Sequence, residues 1–191
     1  PPHFVNTHGL PGGLLHPTET AEQSARRHLQ EKAGIDTAHL YTEQLYTFSG
    51  VDRDPRGRVV AVTYLALVPW ENLSDDERLD SSKSQWVLVK KAKHLAFDHD
   101  EVLNLALARL RSRISYTTIL SKVMPEEFTL TELEQTYESL LKSDLDKRNF
   151  RKKVLKLGIL TSLNKKRKAG RSRPAELYSF ASPTVTDIEV L

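Results

Sequence analysis

Cysteine is absent from this chain of 191 residues. Its absence excludes disulfides, thiolate zinc sites and cysteine nucleophiles. Long apolar runs are also missing, so the sequence predicts no bilayer-spanning helix, and its start lacks the pattern of a signal peptide. The seven histidines are scattered without the spacing of a metal site. We therefore expect a cytoplasmic protein with no metal site and no membrane partner.

The charge is small in total but unevenly distributed. The chain has 28 basic and 25 acidic residues. Between positions 142 and 173 the acids are only Asp144 and Asp146, so the segment carries 13 − 2 = +11 and the remainder 15 − 23 = −8. Such asymmetry is typical of a polyanion-binding segment on an acidic body. The thirteen basic residues are Lys142, Lys147, Arg148, Arg151, Lys152, Lys153, Lys156, Lys165, Lys166, Arg167, Lys168, Arg171 and Arg173.

The second half of the chain reads as three helices followed by a hairpin. Apolar residues at helical spacing predict a helix over 101–114, with Asp98 or Asp100 as its cap. A capping box of Thr129 with Glu132, or of Thr131 with Glu134, predicts a second helix that runs to about residue 141. A third helix is expected from 146 to 158, then strands 159–163 and 176–180 around a basic loop, 164–174. This order is that of a winged helix-turn-helix.

The basic residues fall on the third helix and on the hairpin, the two elements that face DNA in such a fold. Base edges and phosphates would be reached by cations and by Asn149, and the N-terminus of the helix adds partial positive charge toward phosphate. The alternative is a solvated helix and a mobile basic loop. Duplex DNA is favoured over RNA because no aromatic stacking platform accompanies the cations. The predicted contacts are Lys147, Arg148, Asn149, Arg151, Lys152, Lys165, Lys166, Arg167, Lys168, Arg171 and Arg173.

The first half mixes strands with one amphipathic helix. The helix is expected over 21–32, ending at Gly34. Strands are expected over 44–48 and 59–69, on either side of a polar loop. Its Arg53 and Arg56 either meet phosphate or the partner subunit, or are solvated loop charges. Residues 59–68 are almost continuously apolar, which predicts a strand buried on both faces or in a sandwich core.

Residues 11–35 resemble the Nudix box, in which Gly and Glu precede a helix carrying Arg and several glutamates. Seven defined positions match, and two depart, where His28 and Lys32 replace glutamates. The alternative is a glycine turn before an ordinary surface helix. The matching residues are Gly13, Glu19, Arg27, Leu29, Glu31, Gly34 and Ile35.

Membership of the Nudix superfamily implies diphosphate cleavage with magnesium held by the glutamates of this helix. Positions 28, 31 and 32 share one helix face, and only Glu31 is acidic. Magnesium prefers oxygen ligands, and an ammonium at position 32 repels it. We therefore expect no catalytic residue and no required cofactor, with hydrolysis lost or very weak. Binding can survive, with Arg27 and Lys32 balancing a diphosphate.

The remaining ligand candidates lie at the turn before the linking helix. Phe97 and His99 are placed where a ligand could reach them, although a helix cap at Asp98 and a surface histidine explain the same pattern. With Gly13, Glu19, Arg27, Glu31 and Lys32, they complete the predicted effector site.

A degenerate Nudix domain joined to a winged helix resembles the Nudix-related transcriptional regulators, a family of bacterial repressors. The resemblance implies a Nudix-like αβα sandwich over residues 1–97, a linking helix over 98–114 and a winged helix-turn-helix over 115–191. It also implies a homodimer that represses NAD-metabolism genes, associates with the nucleoid when bound to DNA, and releases DNA on binding ADP-ribose or a related nucleotide. Only about a dozen residues precede the box, so we expect residues missing before Pro1 to contribute to the pocket.

Two other functions fit less well. An active Nudix pyrophosphatase with a nucleic-acid-binding tail would need the carboxylates that positions 28 and 32 lack. A purely structural interaction protein would not require the cations to share the DNA-facing elements.

Overall fold

The structure is a computed structural model that describes residue 4 and residues 7–38, 40–80, 84–168 and 173–188. The chain forms two compact units: Pro1–Val68 with Leu73–Ala108, and Pro69–Asn72 with Arg109–Leu191. The units divide the chain between Ala108 and Arg109, within a helix. The domain boundaries expected after residues 97 and 114 stay a prediction. In the described part of the chain, no helix has both the length and the apolar character to cross a membrane.

The first unit contains helix α1 (Ala21–Ala33) and a two-stranded antiparallel sheet of β1 (Tyr41–Phe48) and β2 (Ala61–Leu67). Helix α1 begins at a capping box of Thr20 and Gln23, and it ends at Gly34 with φ 73°. Only glycine adopts that left-handed conformation without a steric penalty. The helix therefore begins and ends where the sequence predicted.

The unit also contains the one-turn helix α2 (Asp75–Arg78), a 3₁₀ turn (Val89–Lys91) and most of helix α3 (His99–Tyr116). Its apolar side chains form two clusters. Ile35, Leu40 and Leu73 lie in one, against Leu29 of α1. The other joins Leu45 and Phe48 of β1 to Val102 of α3. The second cluster fixes the start of α3 against the sheet.

Of the two interpretations of residues 59–68, a strand buried on both faces or one in a sandwich core, the first was wrong. The strand spans Ala61–Leu67. Val62 within it is 42% exposed, and Val60 just before it is 54% exposed. Within the described residues β2 pairs with β1 alone; Val62 and Ala66 are exposed, and its other residues are half-buried. An apolar run shows that a segment has high strand propensity, but the number of covered faces depends on the packing of other elements.

The second unit has the order helix, helix, helix and hairpin. The end of α3 leads through a 3₁₀ turn (Ile119–Lys122) to β3 (Phe128–Thr129), α4 (Leu130–Leu141) and α5 (Lys147–Lys156). Strands β4 (Leu160–Arg167) and β5 (Ala175–Phe180) complete an antiparallel sheet with the order β3-β5-β4. This is the predicted winged helix-turn-helix.

The core of the second unit is formed by side chains that are almost wholly inaccessible to solvent. The rings of Tyr137 and Phe150 meet at 5.0 Å and join α4 to α5, and Phe128 packs against Phe180 at 5.3 Å. The largest fully buried apolar side chains are Ile114, Ile119, Leu120, Phe128, Leu133 and Val154.

Two local expectations for this unit are decided by the structure. The capping box is Thr129 with Glu132, whereas Glu134 points into the protein. Strand β4 extends to Arg167, so the expected loop from residue 164 was wrong in its first residues. An irregularity between Ser162 and Lys166, with Asn164 at φ 52°, restores pairing to β5 beyond the apolar stretch.

Candidate functional site

Helix α5 presents a polar face next to a buried one. Phe150 and Val154 are buried, while Arg148, Asn149 and Lys152 are exposed. The carboxylate of Asp146 caps the helix by accepting the Asn149 backbone N–H at 2.8 Å. The expected positive end of the helix is thus offset by a carboxylate, and recognition of a polyanion falls to the side chains.

Two of the predicted contacts of α5 lie against a buried acid. Arg151 donates to Glu134 Oε2 through Nε at 3.1 Å and Nη2 at 2.9 Å. Lys147 Nζ lies 3.2 Å from Glu134 Oε1, and the Glu134 side chain is fully buried. Arg151 Nη2 also donates to Thr131 Oγ1 at 3.0 Å. These contacts tie α5 to α4.

Two cations of the hairpin are also paired with carboxylates of the protein. Lys165 pairs with Glu127 at 2.7 Å, which raises the pKa of the lysine. Arg167 pairs with Glu132 at 2.9 Å and donates to the Glu127 carbonyl at 2.7 Å.

The other predicted contacts differ in their surroundings. Lys166, Lys168 and Arg173 are exposed, and Arg171 lies outside the described residues. Within the described residues, no side-chain partner is found for Arg148, Lys152, Lys166 or Lys168. Lys156, which the predicted contact set did not include, is exposed on α5 four residues after Lys152.

In the first unit, Arg27 of α1 holds the loop before the helix. Its Nη2 donates to Glu19 at 2.6 Å and to the Leu14 carbonyl at 3.2 Å, and its Nη1 donates to Glu31 at 3.1 Å. The hydrogen bond from Arg27 keeps the pKa of Glu19 well below its usual value. The part of Arg27 and Glu19 in binding a diphosphate stays a prediction.

The two positions that depart from the Nudix box both face this loop. His28 is buried, and its Nε2 lies 3.2 Å from the Leu14 carbonyl. A Cβ added to Gly13 would lie 2.4 Å from His28 Cε1, so the glycine is required for this approach. Lys32 Nζ donates to the Gly12 carbonyl. Both side chains fasten the loop to the helix.

This donor set does not fit the magnesium of the Nudix hydrolases. Position 28 carries an imidazole turned toward Gly13, and position 32 carries an ammonium. Glu31 is the one carboxylate left among the three positions, and its side chain is 54% exposed. In the described part of the chain, no three His, Cys, Asp or Glu residues cluster in a way that could hold a metal ion.

A second polar site lies where β1 and its following loop meet the start of α3. Arg53 donates to both oxygens of Asp98, at 2.8 and 2.7 Å, and its side chain is only 7% exposed. Of the alternatives for Arg53, a solvated loop charge is therefore excluded, and contact with phosphate or a partner subunit stays a prediction. The Asp98 carboxylate is thus occupied by Arg53. The Asp100 carboxylate accepts a hydrogen bond from the Leu95 N–H. A cavity of about 450 Å³ is lined by Tyr46, Phe48, Ser49, Gly50, Asp52, Arg53, Asp98 and Glu101.

Phe97 and His99, beside this pair, contact Phe4 and Leu10 respectively. Phe97 has φ 58°, an uncommon conformation for a bulky residue, and its ring lies 4.3 Å from that of Phe4. The Arg56 guanidinium lies 4.8 Å from the Phe97 ring centre. Asp54, bonded to Arg56, has its pKa lowered to about 2. The sequence identified Phe97 and His99 as candidates. It did not indicate that Arg53 pairs with Asp98, which lies 45 residues further along the chain.

His99 serves as an acceptor in this arrangement. Leu10 N–H donates to its Nδ1 at 2.9 Å. Burial lowers the pKa of His99, and Arg53 adds to the effect while Asp98 and Asp100 oppose it. The neutral imidazole therefore holds the loop before the Nudix box against the start of α3.

Comparison with known proteins agrees with both halves. The NUDIX domain matches residues 2–106, and the NrtR DNA-binding winged helix domain matches residues 120–180. Fold and site thus define a Nudix-type domain followed by a DNA-binding winged helix. The chain belongs to the family of Nudix-related transcriptional regulators, as the resemblance of its sequence indicated.

Several relatives are similar over most of the chain. The ADPR responsive transcriptional repressor NtrR of Acinetobacter baylyi is 39% identical over 90% of this chain and 69% of its own length. Shewanella oneidensis NrtR in complex with a 27mer DNA is 33% identical, with a TM-score of 0.80, over 92% of this chain and 80% of its own. An ADP-ribose pyrophosphatase of Methanocaldococcus jannaschii is 28% identical over 52% of this chain and 57% of its own length.

Proposed function

We propose that this chain is a transcriptional repressor whose winged helix binds duplex DNA and whose Nudix domain binds ADP-ribose or a related nucleotide diphosphate. Binding of the nucleotide releases the DNA. The observation that carries the proposal is the exposed cationic face of α5, with Arg148, Asn149 and Lys152, in a chain similar to the DNA-bound Shewanella relative. As the family resemblance implies, the regulated genes are those of NAD metabolism and the active form is a homodimer.

The nucleotide is proposed to bind near the start of α3. The half-exposed Arg56 guanidinium supplies positive charge for a phosphate group, and the Phe97 ring next to it supplies an apolar surface. Helix α3 begins in the first unit and ends in the second. A change at its first turn therefore has a continuous path to the DNA-binding unit.

Hydrolysis of the nucleotide is proposed to be lost. Magnesium would have to bind beside the Lys32 ammonium with one carboxylate, Glu31, from the box helix. The metal that activates water in such enzymes is then held weakly. The similarity to the Methanocaldococcus pyrophosphatase favours the second candidate, an active ADP-ribose hydrolase, and the lost carboxylates weigh against it.

The proposal is tested by binding DNA from the protein's own promoter region in a gel-shift titration, with and without ADP-ribose. We expect a retarded complex that ADP-ribose dissolves and AMP does not. Release of AMP from ADP-ribose with magnesium is measured on the same preparation, and we expect none above background. Turnover at the rate of an ordinary hydrolase, or a complex that ADP-ribose leaves intact, would contradict the proposal.

A further inference from the structure

Three carboxylates in the second unit lie against predicted DNA contacts. Glu127 pairs with Lys165, Glu132 pairs with Arg167, and Glu134 pairs with both Lys147 and Arg151. We call Glu127, Glu132 and Glu134 the acidic segment, since they all lie within eight residues around the start of α4. Four cations that the sequence assigned to DNA are thus already paired within the protein.

Glu134 has the most demanding position of the three. Its side chain has no exposure to solvent. A buried carboxylate is tolerated only when it is paired and hydrogen-bonded. Arg151 donates two hydrogen bonds to Oε2, and the Lys147 ammonium lies 3.2 Å from Oε1, which has no hydrogen-bond partner within the described residues, so the charge of Glu134 depends on these two cations. Both cations are therefore held on the side of α5 that packs on α4.

Paired and unpaired cations are sequence neighbours. On α5, the paired Lys147 and Arg151 are each followed by a cation for which the described residues offer no partner, Arg148 and Lys152. Residues four apart on a helix share a face, so Arg148, Lys152 and Lys156 form one exposed stripe.

On the hairpin, the alternating directions of strand side chains separate the two kinds of cation. Successive side chains of a strand point to opposite faces. In β4, Lys165 and Arg167 turn toward the acidic segment, and the exposed Lys166 stands between them on the alternate position; Lys168, also exposed, follows the last residue of the strand.

We propose that the basic residues of the second unit form two classes with different roles. Lys147, Arg151, Lys165 and Arg167 hold α5 and the hairpin on the acidic segment, with Glu134 as the central positioning residue. Contact with the phosphates of the duplex is made by Arg148, Lys152, Lys156, Lys166 and Lys168. This division rests on the proposed DNA-binding function and narrows it to particular side chains.

The salt dependence of binding separates the two classes. Each phosphate contact releases counterions and contributes about 0.9 to the slope of log K against log salt concentration. The probe is a labelled 27mer duplex, the length of the DNA in the Shewanella complex. Four single variants are compared as two pairs of sequence neighbours. Lys147→Gln is compared with Arg148→Gln, and Lys165→Gln is compared with Lys166→Gln. Because the proposed homodimer carries each substitution twice, we expect the second member of each pair to reduce the slope by about 1.8 and the first to leave it nearly unchanged.

Glu134→Gln tests the positioning role directly. At a temperature where circular dichroism shows the variant fully folded, we expect the affinity for the duplex to fall severalfold with no loss of slope. A residue that only stabilises the fold would not change the affinity of folded protein. If this variant does not fold, Lys147→Gln and Lys165→Gln decide the proposal, since both lysines are more than 60% exposed.

The possible failures are distinguishable. Equal loss of slope for both members of each pair would overturn the division while leaving DNA binding in place, as would full affinity in folded Glu134→Gln. Absence of binding by the unaltered protein at low salt would instead overturn the proposed function.

Discussion

Gly13 packs against the imidazole of His28 in the Nudix box, with no room for a side chain. Any side chain at position 13 would meet the imidazole at 2.4 Å, and the imidazole is held by the Leu14 carbonyl. The adjacent Gly12 has open space around its Cα, with nothing within 4 Å of an added Cβ. Two neighbouring glycines thus have different reasons to be present, and alanine substitutions separate them.

Gly13→Ala should destabilise the protein, because overpacking costs about 1–3 kcal/mol. The gain from a less flexible unfolded chain is about 0.4–1 kcal/mol and does not offset it. Gly12→Ala gains the same entropy without the clash and should be neutral or slightly stabilising. Urea denaturation followed by circular dichroism measures both. In a His28→Ala background the penalty of Gly13→Ala should shrink, and equal midpoints for the two glycine variants would contradict the close packing.

Individual residues were predictable by type but not by partner. The sequence identified the cations of α5 and the hairpin, yet their pairing with the acidic segment depends on how α4 packs. One signal was available. Glu134 stands beside Leu133 and three residues before Tyr137, within the apolar stripe of a helix, and a charged residue there needs a buried partner. The Arg53–Asp98 pair had no such signal, because 45 residues separate its members.

At the scale of elements, a neutral histidine links the loop before the Nudix box to α3. Leu10 N–H donates to His99 Nδ1, which can accept only while that nitrogen is unprotonated. Burial lowers the pKa of His99 in the folded protein. The unfolded chain titrates near the ordinary value of about 6.5. As the pH falls through that value, the unfolded chain therefore binds a proton before the folded protein does.

We expect the free energy of unfolding to decrease between about pH 7.5 and pH 5.5, because stability falls where the unfolded state binds more protons. His99→Gln should remove part of this decrease. Thermal melts of both proteins across the range measure the effect, and the difference between their pH profiles isolates His99 from the other histidines. Parallel profiles would show that His99 does not contribute.

Helices were predicted better than strands, for a physical reason. Caps and glycine stops are local, so α1, α4 and α5 begin and end within one or two residues of the predicted bounds. Strand limits depend on pairing with a distant segment. The basic end of β4 pairs with β5 although its composition suggested a loop, and the apolar β2 keeps an exposed face.

At the scale of the whole molecule, the proposed ligand site and the winged helix lie in different units, and α3 belongs to both. If ADP-ribose weakens DNA binding by some factor, DNA must weaken ADP-ribose binding by the same factor, since the two equilibria form a thermodynamic cycle. Coupling of this kind amounts to about 1–3 kcal/mol, or roughly 5- to 150-fold. Both factors should therefore be measurable, and they should agree.

Ala108 tests whether α3 carries this coupling. The residue is exposed and stands at the division between the units, so glycine there weakens the helix by about 1 kcal/mol without removing a buried contact. Ala108→Gly should leave each ligand's affinity unchanged when measured alone and should reduce both coupling factors together. Gln30→Gly is the control, because it places glycine at an exposed helical position of the first unit on α1 rather than on α3. Fluorescence anisotropy with the duplex and calorimetry with ADP-ribose provide the four affinities for each protein. Coupling that persists in full in Ala108→Gly would exclude a continuous α3 as its route.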